Sequence, residues 1–160
     1  MAATIIARIR YCIIAVGVFV GFYYYFAPNI RTAVGIVTLT CVGLIGILSF
    51  FSHVVFHDSD ARRLGIDPSQ PTFQFEVGFA NLAIGLMALV VFFANWGTIP
   101  QGVILGCYSL YLFQAVILHI RRYVTGEHRT ATYLWFSIIL SAVYVGIMMF
   151  FAVAGITSAV

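Results

Sequence analysis

The fold of this chain is decided by residues 32–55, which read TAVGIVTLTCVGLIGILSFFSHVV. The segment contains no Asp, Glu, Lys or Arg, and a helix of roughly 20 apolar residues is long enough to cross the hydrocarbon core of a bilayer. A helix also pairs its own backbone N–H and C=O groups, which find no water inside the bilayer. The segment therefore predicts a transmembrane helix.

Four more apolar segments surround this one, so that five membrane-spanning helices are predicted. The other expected spans are residues 11–27, 73–94, 99–120 and 130–156. A hydrophobic fraction of 62% against 8% charged residues lies far outside the composition of soluble globular proteins. We therefore expect an all-α integral membrane helical bundle that forms a single domain over residues 1–160 and has the lipid bilayer as its surroundings.

The cationic residues predict the orientation, because cytoplasmic loops of membrane proteins are enriched in Lys and Arg. All eight cations are Arg, and seven of them fall on one side of the five predicted spans. We expect a cytoplasmic amino terminus and an external carboxyl terminus, in a bacterial inner membrane, with Arg31 as the one external cation. The net charge of +3 is spread over short loops, so the sequence does not predict the clustered basic surface that binds nucleic acid.

Small and aromatic residues predict how the helices pack. Gly35, Gly43 and Gly46 in the second span, with Gly78 and Gly85 in the third, would let these two helices approach closely. Aromatic residues near the external helix ends are typical of an interfacial belt. The expected belt consists of Tyr23, Tyr24, Tyr25, Trp96 and Tyr108.

Four ionisable residues lie inside or beside the spans at the cytoplasmic side. A charge inside a membrane span is energetically costly, so such residues usually have a specific role. His53 and His57 are four residues apart, so on a helix they project about 40° from each other. With His119 from the fourth span and Glu76 from the third, they predict a site for a transition metal. Haem held between His53 and His119 is an alternative cofactor.

Structural roles are the alternative for the same polar residues. Glu76 follows Thr72, the expected cap of the third span, and would meet the positive end of the helix dipole. It would then pair with one of four cations, Arg62, Arg63, Arg121 or Arg122. Three amide residues are expected to have structural polar roles, with Gln114 a possible partner of Asn81: Gln74, Asn81 and Gln114. A short amphipathic helix over residues 60–64 would end at Gly65.

No recognised catalytic motif is present, so enzymatic activity stays open. The leading hypothesis is a membrane protein whose cytoplasmic His and Glu cluster binds a metal or a small polar ligand. The hypothesis includes a redox-linked role for this cluster. One alternative is a non-catalytic accessory subunit of a larger membrane complex, or a homo-oligomer. Another is a small transporter, which would need a polar path across the bilayer.

One stretch resembles a known family. Residues 71–85, PTFQFEVGFANLAIG, are similar to the pattern Ser-Pro-Phe-Gln-x-Glu-Val-Gly-x-Ala-Asn-Leu of small bacterial membrane proteins of unknown function. Pro71 and Thr72 replace the Ser-Pro of that pattern, while Gln74, Glu76 and Asn81 match it. The resemblance covers about residues 50–150. It implies a membrane protein of four or five helices and gives no activity.

Overall fold

The protein is an all-α membrane bundle, as expected from the sequence. The computed structural model describes residues 2–65, 67–69, 71–127 and 129–158, and these contain six helices and no strand. Five helices are long and apolar enough to cross a membrane. In chain order they are α1 (Ala2–Phe26), α2 (Ile30–Val55), the short α3 (His57–Leu64), α4 (Thr72–Phe93), α5 (Thr98–Val124) and α6 (Ala131–Thr157).

Local signals define the helix ends. Asn29 caps α2 through a hydrogen bond of 3.2 Å from the Thr32 N–H to its Oδ1 atom. The short helix predicted at residues 60–64 starts earlier, at His57, and ends as expected at Gly65, whose φ of 67° lies in the left-handed region. Thr72 was expected to cap the third span, but it is the first helical residue, and Pro71 occupies the cap position without a side-chain hydrogen bond.

Helices α2 and α4 form a close antiparallel pair, which confirms the expectation from their glycines. A Cβ atom on Gly46 would lie 2.5 Å from the carbonyl oxygen of Asn81 and 2.8 Å from the Cα atom of Gly85. A Cβ atom on Gly78 would lie 3.3 Å from the Cβ atom of His53. The two backbones therefore approach more closely than any larger side chain would allow.

Two stretches of α2 are wound as a π-helix, over Thr38–Leu44 and Phe51–Val55. In a π-helix the backbone N–H bonds to the carbonyl five residues earlier, which widens the turn. The second stretch ends with the bond from Phe56 N–H to Phe51 C=O, of 2.9 Å. The chain then leaves the helical conformation at Phe56 and enters α3.

The core lies where α2 meets α4, α5 and α6, and it contains one residue that was expected elsewhere. Tyr108 was predicted to belong to the interfacial belt, but its side chain is completely buried. It shares the buried face of α5 with Gln101, Leu105 and Ser109, at helical spacing. Its hydroxyl finds a partner inside the bundle, so it does not need the membrane surface. Tyr23 and Trp96 are exposed.

The two ends of the bundle differ in charge. We call them the His53 end, where α2 meets α3, and the Arg31 end, where α1 meets α2. All five acidic residues lie at the His53 end: Asp58, Asp60, Asp67, Glu76 and Glu127. Seven of the eight Arg residues lie there as well, so Arg31 is the one charged side chain at the other end.

Candidate functional site

A polar cluster lies at the His53 end, where the second π-helical stretch of α2 leads into α3. The wide turn directs Ser52 and His53 towards α3. Helix α3 in turn lies against the start of α1, where the Ala3 N–H donates to Ser59 Oγ over 3.3 Å. Single π turns inside α-helices occur frequently at functional sites. The π-helical winding of α2 therefore determines the position of this cluster against α3.

Asp60 is the centre of the cluster and is completely buried. Its Oδ1 atom accepts from Ser52 Oγ at 3.0 Å and from Arg63 at 3.1 Å (Nε) and 2.7 Å (Nη2). Its Oδ2 atom lies 2.7 Å from His53 Nδ1. Oδ1 thus accepts hydrogen bonds, whereas Oδ2 makes a close ionic contact with the His53 ring that is not aligned as a hydrogen bond.

The pKa of Asp60 is set by two opposing effects. Burial raises it, but the close contact and charge of His53, together with the hydrogen bonds and charge of Arg63, outweigh burial and lower the pKa to about 2. Asp60 is therefore ionised at neutral pH. Its negative charge is balanced by the guanidinium group of Arg63.

The ionised Asp60 fixes the tautomer of His53. A carboxylate oxygen repels a ring-nitrogen lone pair at 2.7 Å, so this contact favours the tautomer with the proton on His53 Nδ1, next to Asp60 Oδ2. In the neutral ring, Nε2 then carries a free lone pair, and it forms no hydrogen bond within the part of the chain that the structure describes. The side chain is 16% exposed. His53 thus presents an oriented Nε2 atom that can accept a hydrogen bond.

Gln74 lies on the α4 face that packs against this region. Gly78 contacts His53 and Val54, so the preceding turn of the antiparallel α4 is level with His57. The ring contact between His57 and Phe75, with centroids 5.3 Å apart, agrees with this register. Gln74 is 3% exposed, and neither its Nε2 nor its Oε1 has a partner among the described residues. A buried amide without partners is costly unless a ligand or water satisfies it.

His57 belongs to the same end but points differently from His53. Its Nδ1 atom lies 3.2 Å from the carbonyl oxygen of Val54, and its Nε2 atom lies 3.3 Å from Asp58 Oδ1. The expected angle of about 40° between the two histidines requires a continuous α-helix. The π turn and the break at Phe56 remove that relation.

Glu76 lies on the opposite side of α4. It is two residues, or about 200°, from both Gln74 and Gly78, which are buried, and it is exposed. Its side chain forms no hydrogen bond or ion pair with any described residue. Of the cations expected to pair with it, Arg63 binds Asp60, and Arg122 binds Glu127 at 3.1 Å.

His119 lies between a different pair of helices. Its Nδ1 atom is 2.6 Å from the Tyr133 hydroxyl oxygen, where α5 meets α6. The main contacts of α5 with α2 are made by Ile30–Val37 and Thr38–Leu44, in the half of α2 that is far from His53. The contacts thus give no support to the His53 and His119 pairing that haem would need. Among the described residues, no group of three or more His, Cys, Asp or Glu side chains could hold a metal ion.

A second polar cluster lies deeper, between α4 and α5. Asn81 Oδ1 accepts from the Tyr108 hydroxyl at 2.8 Å, and Asn81 Nδ2 donates to Val77 C=O at 2.7 Å and to Tyr111 Oη at 3.2 Å. Asn81 therefore bonds across the helices through two tyrosines. Gln114, the partner suggested by the sequence, is exposed.

The residues that hold His53 were not among the site residues predicted from the sequence. Asp60 and Arg63 were predicted to lie in a short amphipathic helix, with Arg63 as a possible partner of Glu76, and Ser52 was not among the predicted site residues. One signal was available, because Asp60 and Arg63 are three residues apart and face each other on a helix. Nothing in the sequence indicated that this face of α3 turns inward.

The helices and the buried polar cluster define the class of this protein as an integral membrane helical bundle with a polar site at one end. The chain belongs to a family described as a family of unknown function, DUF6790, which matches residues 7–159. No curated protein and no solved structure matches the chain. The family match agrees with the resemblance in giving no activity.

Proposed function

We propose that this membrane protein binds a small, uncharged polar molecule at the His53 end, between α2, α3 and α4. The observation that carries the proposal is the contact of 2.7 Å between His53 Nδ1 and the buried carboxylate of Asp60. This contact holds the ring and leaves Nε2 as an acceptor. Ionisable residues in membrane helices generally mark functional sites. His53 is such a residue, and it is held in place by Asp60, which in turn accepts hydrogen bonds from Ser52 and Arg63.

The chemistry of the site favours a neutral ligand. Asp60 and Arg63 balance each other's charge, so the cluster offers no net charge to attract an ion. His53 Nε2 would accept a hydrogen bond from the ligand, and the amide of Gln74 would both donate and accept. A molecule with an amide or alcohol group has these complementary donors and acceptors.

The other functions suggested by the sequence have less support. A metal site would need His53, His57, Glu76 and His119 together, and Glu76 is on the far side of α4 while His119 contacts Tyr133. An accessory-subunit role and a transport role stay predictions, since no contact in the described residues favours either. Ligand binding is preferred because it explains both the oriented His53 and the unpartnered amide of Gln74.

Two variants test the proposal, with co-purifying small molecules measured by mass spectrometry after gentle detergent extraction. His53→Asn keeps a nitrogen donor for Asp60 but removes Nε2, and Gln74→Leu removes the buried amide. We expect one compound of fixed mass to accompany the wild-type protein and to fall at least tenfold in both variants. Gln114→Leu, which removes the same amide from an exposed position, should retain it.

Two results would contradict the proposal. One is that all four proteins release the same compounds in equal amounts. The other is a stoichiometric metal in the wild-type protein that disappears in His53→Asn, because this would replace the neutral ligand with a metal ion.

A further inference from the structure

Glu76 is a carboxylate on the outer face of a membrane-spanning helix, the face of α4 that points away from α2. It lies in the second turn of α4, between Phe73 and Phe79, which are both exposed. Its side chain has no hydrogen bond or ion pair with any residue that the structure describes. A charged group inside a membrane span normally faces the bundle interior or a partner of opposite charge. A partner for Glu76 would then come from another molecule.

An unpaired cation, Arg8, lies on the outer face of α1. The opposite face of α1 carries the buried Ala3 and Gly17, which pack towards α3 and α2. Arg8 is five residues from Ala3, or about 140° around the helix, so it points away from α2 and is exposed. It has no hydrogen bond or ion pair with any described residue. Helix α1 is also the least buried of the five membrane-spanning helices.

The fold keeps Glu76 and Arg8 apart within one copy of the chain. Helices α1 and α4 both pack against α2, through Gly17 of α1 and Gly78 of α4. Each charge lies on the far side of its helix from that contact, so both point out of the bundle. An Arg and a Glu in this arrangement are brought together when two copies lie side by side.

The two charges lie at similar depths in the membrane. Glu76 is two residues before Gly78 and is level with about residue 55 of α2, while Arg8 is nine residues before Gly17 and is level with about residue 50. The difference in depth is about 8 Å at 1.5 Å per residue. Helical side chains tilt towards the N-terminus, which for α1 lies at the His53 end, so the long Arg8 side chain extends towards the level of Glu76. Two copies inserted in the same direction thus present these charges to each other.

We infer that the protein self-associates in the membrane, with the outer face of α4 in one copy against the outer face of α1 in a second copy and with Glu76 paired to Arg8 across the contact. The pairing removes two unpartnered charges from the lipid, and a charge-assisted hydrogen bond is strong in such surroundings. The two faces differ, so the contact is head-to-tail, and it forms a ring when the rotation between copies closes. The inference is independent of the site at His53.

Disulfide cross-linking of the full chain in native membranes tests the contact. Cys12 and Ala83 are exposed on the two outer faces, and both are level with about residue 46 of α2. In an Ala83→Cys variant that also carries Cys107→Ala, copper phenanthroline should link position 12 of one copy to position 83 of the next and give covalent dimers and larger species. Leu110→Cys in place of Ala83→Cys is the matched control, because it puts the thiol at a similar depth on the exposed side of α5 and should give no cross-link.

Charge reversal tests the pair itself, with the same cross-link as the readout. Arg8→Glu alone and Glu76→Arg alone place like charges at the contact, and each should lower the cross-linked fraction at least fivefold. The double variant Arg8→Glu/Glu76→Arg restores opposite charges at every contact, as does co-expression of the two single variants, and both should restore cross-linking. Arg62→Glu, at an exposed cation of α3, should leave the cross-linked fraction unchanged.

Three results would overturn the inference. One is the absence of a cross-link between positions 12 and 83 when both charges are wild type, and another is equal cross-linking by Leu110→Cys. The third is a cross-linked fraction that neither single reversal lowers, or a loss that neither the double variant nor co-expression restores, because the pairing of Glu76 with Arg8 would then not hold the copies together.

Discussion

At the scale of single residues, Asp60 organises the His53 end. Its Oδ1 atom receives hydrogen bonds from Ser52 and Arg63, its Oδ2 atom lies against His53, and no part of its side chain reaches solvent. Buried charges contribute little net stability when fully paired, but the loss of one partner leaves an uncompensated charge. The cluster therefore acts as a unit in which every member depends on Asp60.

The low pKa of Asp60 predicts an acid-dependent loss of stability. Because the pKa is about 2 in the folded protein against an ordinary 3.8, ionised Asp60 stabilises the fold above pH 4, by about 2 kcal/mol, and this contribution is lost as the pH falls towards 2. We expect Asp60→Asn to melt at a lower temperature than the wild-type protein at pH 7. The difference should shrink between pH 4 and pH 2.

Melting in detergent across this pH range measures the effect, with Asp58→Asn as the control. Asp58 is exposed, so its replacement should change melting little at any pH. A wild-type advantage that persisted undiminished at pH 2 would show that Asp60 acts through shape and not through its charge.

At the scale of helices, the contact of α2 with α4 depends on the absence of side chains. A Cβ atom on Gly46 would meet backbone atoms of α4, which cannot rotate away as a side chain can. We expect Gly46→Ala to lower the free energy of unfolding by about 1–3 kcal/mol, the usual cost of overpacking.

Gly146→Ala is the matched control in α6, because a Cβ atom there would meet nothing within 4 Å. That variant should be neutral or more stable, since Ala favours a helix over Gly by about 0.5–1 kcal/mol. Thermal or denaturant unfolding in detergent compares the two. Equal stability of both variants would mean that α2 and α4 are not in backbone contact.

The helices could be predicted from the sequence, but the site could be predicted only in part. The spans follow from apolar length, and the close pair follows from glycines, because both depend on local composition. The direction of His53 depends on a π turn, and the burial of Asp60 depends on how α3 folds back onto α1. Glu76 was expected to join the site because it is charged and near a span, yet helical rotation places it on the exposed side.

At the scale of the whole molecule, the asymmetry of charge predicts how the protein lies in the membrane. Seven Arg residues at the His53 end against one at the other favour a cytoplasmic His53 end. We expect the amino terminus inside and the carboxyl terminus outside.

Cysteine labelling measures this orientation, in a background where Cys12, Cys41 and Cys107 are replaced by Ala. A cysteine introduced at Ser158 should react with a membrane-impermeant maleimide added to intact cells. One introduced at Ser69 should react only after the cells are opened. The opposite pattern would invert the proposed orientation.

The π turn at Phe51–Val55 also makes the geometry of the His53 end sensitive to the deletion of a single residue. A π turn amounts to an α-helix with one residue inserted, so removal of one residue there would restore regular winding without breaking α2. The helix would survive with the residues on either side in nearly the same relative orientation, but the side chains within the turn, Ser52 and His53 among them, would take new directions. A frame-preserving loss of a single codon could thus separate His53 from Asp60 while leaving a protein that still crosses the bilayer five times.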